Sequence, residues 1–321
     1  MCSIIARCLV AFLGASLQNR ALIDQPTPVG SGRVRWKRRK FGMAHATING
    51  ARLWYDVQGE GEPLLLHHGY TASRIHWEPA ASLLREGYQV ILMECRGTGD
   101  SEHTVDGYSL EQYAADVISM ADHLGLSRFS FAGHSMGGGI GYVLALEYPQ
   151  RVERLILMAS VPSDGYPLPT QEVREFLIDR RRRGDRASYM AEYVATRFRP
   201  DVETDAWFNS RIDQILAVSE GHYVQGAESF AQLRVGDRLA DLDTPTLVLA
   251  GAVDSLLAAN LADFNRLPNA TLQVFSRAGH ELAVHEPEGV AAAIDGFMRH
   301  GVVTADSLAE RRPARDNGAN E

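Results

Sequence analysis

Lysine is almost missing from this chain. Its 321 residues include two, Lys37 and Lys40, and both lie in the first forty-two positions. That segment holds eight Lys/Arg side chains against one acid, Asp24, whereas the remainder carries 24 basic and 39 acidic residues. The whole chain has a net charge of −8. An acidic body repels phosphate backbones, which argues against nucleic acid as a partner. Cysteine is scarce as well: Cys2, Cys8 and Cys95 are all there is. With Cys95 alone in the body, no disulfide forms within it, which favours a reducing, cytoplasmic location. No C-x-x-C pair occurs and no His/Cys group has ligand spacing, so neither a metal nor a cofactor is expected. No run of eighteen apolar residues is present, so no membrane span is expected.

The change of composition near residue 43 marks a boundary. Residues 1–42 read as a basic arm, and the apolar run in "MCSIIARCLVAFLGASLQNR" after Arg7 allows two readings. One is a targeting segment for export or an organelle. The other is an upstream extension of a chain that starts at Met43, whose "MAHATINGARLWYDVQGEG" reads as a first strand. Residues 302–321 read as a polar, unfolded tail. A homodimer is left open.

Between these ends, apolar strand patterns alternate with amphipathic helix patterns, which implies a mostly parallel, doubly wound α/β sheet. "PLLLHHG", "YQVILMECRG", "RFSFAG" and "RLILMAS" read as strands, and "SLEQYAADVISMADHLG" as a helix capped by Ser109. The rhythm breaks after Ser160. Residues 161–243 show only helical patterns, rich in aromatics, and read as a helical cap inserted between the two parts of the core, 43–160 and 244–301. Within it the run Arg180 to Arg183 reads as a solvated helix end. Strands resume with "TPTLVLAGAVD" and "ATLQVFSRAGH".

"FAGHSMGGGIGYVLA" carries the chemistry. A strand runs into a helix with almost no loop, and Ser135 sits at the corner. A sharp turn there strains the apex and leaves no room for side chains two places either side, so Gly133 and Gly137 fit. The Ser135 hydroxyl then projects at the carboxyl end of the strands, where α/β sheets bind ligands. A serine needs a base, and His280 follows the last strand. An acid must orient that imidazole. Asp254 follows the preceding strand, Asp164 is a second candidate, and Asp243 lies at the wrong end of the sheet. The tetrahedral intermediate needs two amide donors, assigned to Met136 and to Tyr70 in "HHGYTAS", with His68 shaping the loop.

These residues resemble the α/β-hydrolase superfamily over about Ala44 to His300. The resemblance rests on "HHGY" for the oxyanion loop, "ECRGTGDS" for the following loop, "GHSMG" for the nucleophile elbow, "GAVD" for the acid and "AGH" for the base. Glu94 stands where the family usually has Asp, and no proline follows Asp254. The resemblance implies an α/β-hydrolase fold with a Ser-Asp-His triad. A serine nucleophile argues against the dehalogenase and epoxide hydrolase branches, which use a carboxylate. The expected activity is hydrolysis of a small apolar ester or lactone, with Trp77, Tyr166, Trp207 and Tyr223 as candidate pocket residues. Carbon–carbon bond hydrolysis and cofactor-free perhydrolysis use the same triad. A ligand receptor that retains the triad is the reading from another class.

Overall fold

The computed structural model describes residues 43–304. The arm 1–42, the choice between Met1 and Met43, and the tail from residue 305 lie outside the described residues. Eight strands form one sheet: β1 (Ala44–Ile48), β2 (Ala51–Gln58), β3 (Glu62–His67), β4 (Tyr88–Met93), β5 (Phe129–His134), β6 (Val152–Met158), β7 (Thr246–Gly251) and β8 (Ala270–Phe275). Their spatial order is β1-β2-β4-β3-β5-β6-β7-β8. The pairs β1–β2 and β2–β4 are antiparallel, and the rest are parallel.

The segment read as one first strand is a hairpin. Ile48 pairs with Ala51, so Asn49 and Gly50 alone make the turn, with φ of 47° and 78°. A two-residue Asn-Gly loop with both φ positive matches the right-handed twist of the flanking strands, and it divides the segment into two strands.

Strand residues alternate between two cores. Leu65, Ile91 and Met93 point to one face, where α2 (Leu110–Leu124) and α3 (Met136–Glu147) add Tyr113, Val117 and Ile140. Leu64, Leu66, Val90 and Leu92 point to the other, against α1 (Glu78–Leu84) and a C-terminal helix over Pro287–His300, which supplies Val290, Ile294 and Phe297. Central strands covered on both faces are apolar without alternation, as "PLLL" and "TLVLAG" are. Helix α2 opens as expected: Ser109 Oγ accepts the Gln112 N–H, and Gly125 closes it in the left-handed region.

Between β6 and β7 the chain forms α4 (Gln171–Arg182), α5 (Arg186–Thr196), α6 (Asp205–Ala217), a π-helical turn over His222–Gly226 and α7 (Ala227–Ala231). Thr170, Asp185 and Thr204 each cap a helix by accepting a backbone N–H. These helices have a small core of their own in Tyr189, Ile212 and Ile215. The arginine run is only half solvated. Arg182 and Arg183 are exposed and pair with Glu220 and Asp179. Arg180 is buried over the Tyr189 ring and pairs with Glu192. Arg181 donates to the carbonyls of Ile215, Leu216 and Val218 and so caps the end of α6. After β7 come α8 (Leu257–Phe264), then β8, α9 (Leu282–His285) and α10 (Pro287–His300). No described helix is long and apolar enough to cross a membrane.

Candidate active site

Ser135 occupies the corner between β5 and α3 with φ 55° and ψ −114°. Such a dihedral pair is costly for a residue with a side chain and holds only where the surroundings dictate it. Here they do. A Cβ on Gly133 would sit 2.1 Å from the Gly137 carbonyl oxygen, and one on Gly137 would sit 2.7 Å from that of His67. Helix α3 therefore starts hard against the ends of β5 and β3, and its first amides face the corner.

Two hydrogen bonds run from that corner. Ser135 Oγ lies 2.9 Å from His280 Nε2, and His280 Nδ1 lies 3.0 Å from Asp254 Oδ2. Asp254 is buried, and its Oδ1 accepts the Leu256 N–H at 3.0 Å. Burial would pull the His280 pKa down, but the Asp254 charge and hydrogen bond outweigh it and leave the ring above its ordinary value. Burial would also raise the Asp254 pKa. The His280 ring and the Leu256 amide outweigh it, so that carboxyl stays ionised. Of the other candidate acids, Asp164 pairs with Arg266 at 2.5 Å, and Asp243 precedes β7, at the opposite end of that strand from Asp254.

The loop after β3 lies against the serine. A Cβ on Gly69 would meet Ser135 Cβ at 3.0 Å and His134 Nδ1 at 3.1 Å, so the absence of a side chain eases this close approach. Tyr70 follows, then Thr71 with φ 51°. Loop shape is enforced from both sides. His68 is buried, donates from Nδ1 to the Gly69 carbonyl, and accepts the Cys95 N–H at Nε2. From the inserted helices, Arg211 donates to Thr71 O at 2.7 Å and to Thr71 Oγ1 at 3.2 Å. The Tyr70 hydroxyl donates to the Tyr223 carbonyl.

Several contacts were not legible in the sequence. His134 Nε2 donates to the His280 carbonyl at 2.8 Å, tying the end of β5 to the loop that carries His280. Burial leaves that imidazole neutral, its pKa lowered to about 4. His285 is buried between the Gly279 N–H and Glu203. Glu281 bonds His76 at 2.5 Å and lies 3.7 Å from Arg211 Nε. Burial opposes its ionisation, but His76, His134 and Arg211 together hold its carboxyl well below the usual range. No motif marked Arg211, His76 or Glu281, because their hydrogen-bond partners lie far along the chain: Arg211 bonds Thr71, and Glu281 bonds His76.

A cavity of about 620 Å³ opens beside Tyr70, lined by Tyr166, Leu177, Ile178, Tyr223, Ala227 and Phe230 among others. Of the four candidate pocket residues, Tyr166 and Tyr223 line this cavity; Ser135, Asp254 and His280 do not. Trp77 is fully buried in the core, and its indole N–H donates to the His67 carbonyl. Trp207 packs on the His76 ring, 5.1 Å between centroids, and does not line the cavity. A second cavity of the same volume, around Tyr108, Gln112, Gln232 and Arg234, is polar and lined by none of the candidate site residues.

The alpha/beta hydrolase fold family model matches residues 62–287, which include Ser135, Asp254 and His280. The chain belongs to the α/β hydrolase fold family. Among this hydrolase's relatives is a 2-hydroxy-6-oxononadienedioate/2-hydroxy-6-oxononatrienedioate hydrolase of Paraburkholderia xenovorans. The two are 30% identical over 272 residues, covering 78% of this chain and 91% of the relative. A non-heme haloperoxidase of Rhodococcus erythropolis is 28% identical over 271 residues, covering 78% and 97%. A thermophilic esterase from Thermogutta terrifontis superposes with a TM-score of 0.71 at 27% identity, covering 80% of this α/β hydrolase and 98% of the esterase.

Proposed function

We propose that this α/β hydrolase is a serine hydrolase of carboxylic esters or lactones. The observation that carries the reading is the unbroken chain Ser135 Oγ, His280 Nε2, His280 Nδ1, Asp254 Oδ2, with contacts of 2.9 and 3.0 Å. An ionised Asp254 only accepts, so the ring proton sits on Nδ1 and Nε2 keeps its lone pair toward the serine. Ser135 Oγ attacks the carbonyl carbon as Nε2 takes its proton. The amides of Met136 and Tyr70 receive the oxyanion, helped by the N-terminal end of α3. The imidazolium returns its proton to the leaving oxygen, which departs as an alcohol or stays tethered in a lactone. Water then adds to the acyl-enzyme by the same path, releasing the acid and restoring Ser135.

In this reading the helices from Gln171 to Ala231 are a cap. The cavity they form beside Tyr70 receives the apolar part of the substrate. A second reading, hydrolysis of a carbon–carbon bond next to a ketone, is favoured by the 30%-identical Paraburkholderia relative. A fluorophosphonate probe followed by mass spectrometry tests the machinery: the label is expected on Ser135 and absent in His280→Ala. A panel of p-nitrophenyl esters, lactones and a vinylogous diketone then separates the two readings. Turnover of the diketone alone would replace the ester assignment.

A further inference from the structure

Beside the triad, three side chains distant in sequence converge. His76 ends the short helical turn Arg74–His76, His134 is the last residue of β5, and Glu281 follows His280. Each offers a ligand atom, and the three atoms lie within 4.8 Å of one another. Both imidazoles are 2% exposed. The His134 Nε2–H is spent on the His280 carbonyl, so Nδ1 is a bare lone pair, buried and without a hydrogen-bond partner. Native folds seldom leave such an atom unmet. A backbone carbonyl on the far nitrogen is also the arrangement that orients a ligating imidazole.

We propose that His76, His134 and Glu281 bind one first-row transition-metal dication of the zinc class, and that its occupancy silences the neighbouring Ser135–His280 pair. Two imidazoles and one carboxylate suit Zn²⁺, Co²⁺ or Ni²⁺, whereas Mg²⁺ and Ca²⁺ require mostly oxygen donors. The ion replaces the proton between His76 Nδ1 and Glu281 Oε2. That proton passes to His76 Nε2, which is buried and unpartnered in its absence. His134 Nδ1 is the third donor. Arg211, 3.7 Å from Glu281 Oε1, opposes a second positive charge and keeps the affinity modest. The silencing follows from position: His134 and Glu281 adjoin Ser135 and His280 in the chain, so their movement toward an ion disturbs the pair. This second half rests on the serine hydrolase reading.

The test uses the untagged full chain stripped with chelator. Zn²⁺ titration by calorimetry, metal analysis after dialysis, and the visible absorption of the Co²⁺ form report binding without reference to activity. The expected result is one ion per chain and no response to Mg²⁺. Affinity should fall about 10-fold or more in both His76→Asn and Glu281→Gln, with circular dichroism showing that each variant is folded. The rate of fluorophosphonate labelling at Ser135 should fall about 10-fold on saturation and recover with chelator. No stoichiometric binding, or equal binding by wild type and both folded variants, overturns the site. Binding with an unchanged labelling rate overturns the silencing. A metal-free chain whose Ser135 never labels refutes the serine hydrolase reading instead, and the titration still decides the site.

Discussion

Asp254→Asn is the most informative single substitution, because the surrounding amide dictates what the new side chain must do. Asp254 Oδ1 accepts the Leu256 N–H, and Oδ2 faces His280 Nδ1. Asparagine has one acceptor oxygen and one NH₂ donor. Its oxygen has to remain on the Leu256 amide, since an NH₂ there would meet N–H with N–H and leave two buried donors unpaired. The NH₂ group then faces His280 Nδ1 and turns it into an acceptor. The ring proton moves to Nε2, where it points at Ser135 and blocks proton uptake. A wrong-tautomer change in a triad of this kind costs about 10⁴ in kcat, or about 5 kcal/mol of transition-state stabilisation. KM should change little, because substrate contacts are untouched. Ester turnover gives the rate, and ¹⁵N spectra of labelled histidine give the tautomer: Nδ1–H on His280 in the wild type, Nε2–H in the variant. A loss of less than about tenfold, or an unchanged tautomer in the folded variant, would refute the reasoning.

Gly133→Ala places a Cβ 2.1 Å from backbone atoms that have no room to retreat, so a loss of about 3 kcal/mol or more is expected in chemical denaturation. Gly125→Ala, with open space but φ 73°, should cost about 1 kcal/mol; equal effects of the two would contradict the steric account. Ile178→Trp projects into the cavity and should raise KM about 10-fold for long-chain esters while affecting acetyl esters less, as a chain-length series would show. Arg211→Lys cannot hold both oxygens of Thr71, and a fall of about 10-fold in kcat with little change in KM is expected from the loosened loop. A rise in KM alone would instead assign Arg211 to substrate binding. In chelator, kcat/KM should fall with acidity as His280 protonates, because only the neutral ring is a base. Asp254 raises that pKa against the effect of burial, with Glu281 adding to the rise and Arg211 opposing it. In Asp254→Ala the acid limb of the residual activity should therefore shift to lower pH, and a shift to higher pH would reverse the assigned sign.

What the sequence could say was local. "GHSMG" specifies its own geometry, because the steric demands of a strand-turn-helix corner are met by residues two places away. Apolar runs and caps such as Ser109 likewise act within a turn or a strand. Where the sequence reading went astray, a short-range signal was present but outweighed by a longer pattern, as at Asn49-Gly50, or a side chain was judged by its type, as with Trp77, Trp207, Arg180 and Arg181.

Composition and motif spacing alone determined a mostly parallel α/β sheet, a serine at its rim and a histidine to pair with it. Only the tertiary structure set the 3.0 Å contact between Asp254 and His280, ran Arg211 from an inserted helix to Thr71, and gathered His76, His134 and Glu281 at one point. The physical reason is range: dihedral preference and burial are felt by neighbours along the chain, whereas a hydrogen bond between side chains over a hundred residues apart exists only once the sheet has set where each loop ends.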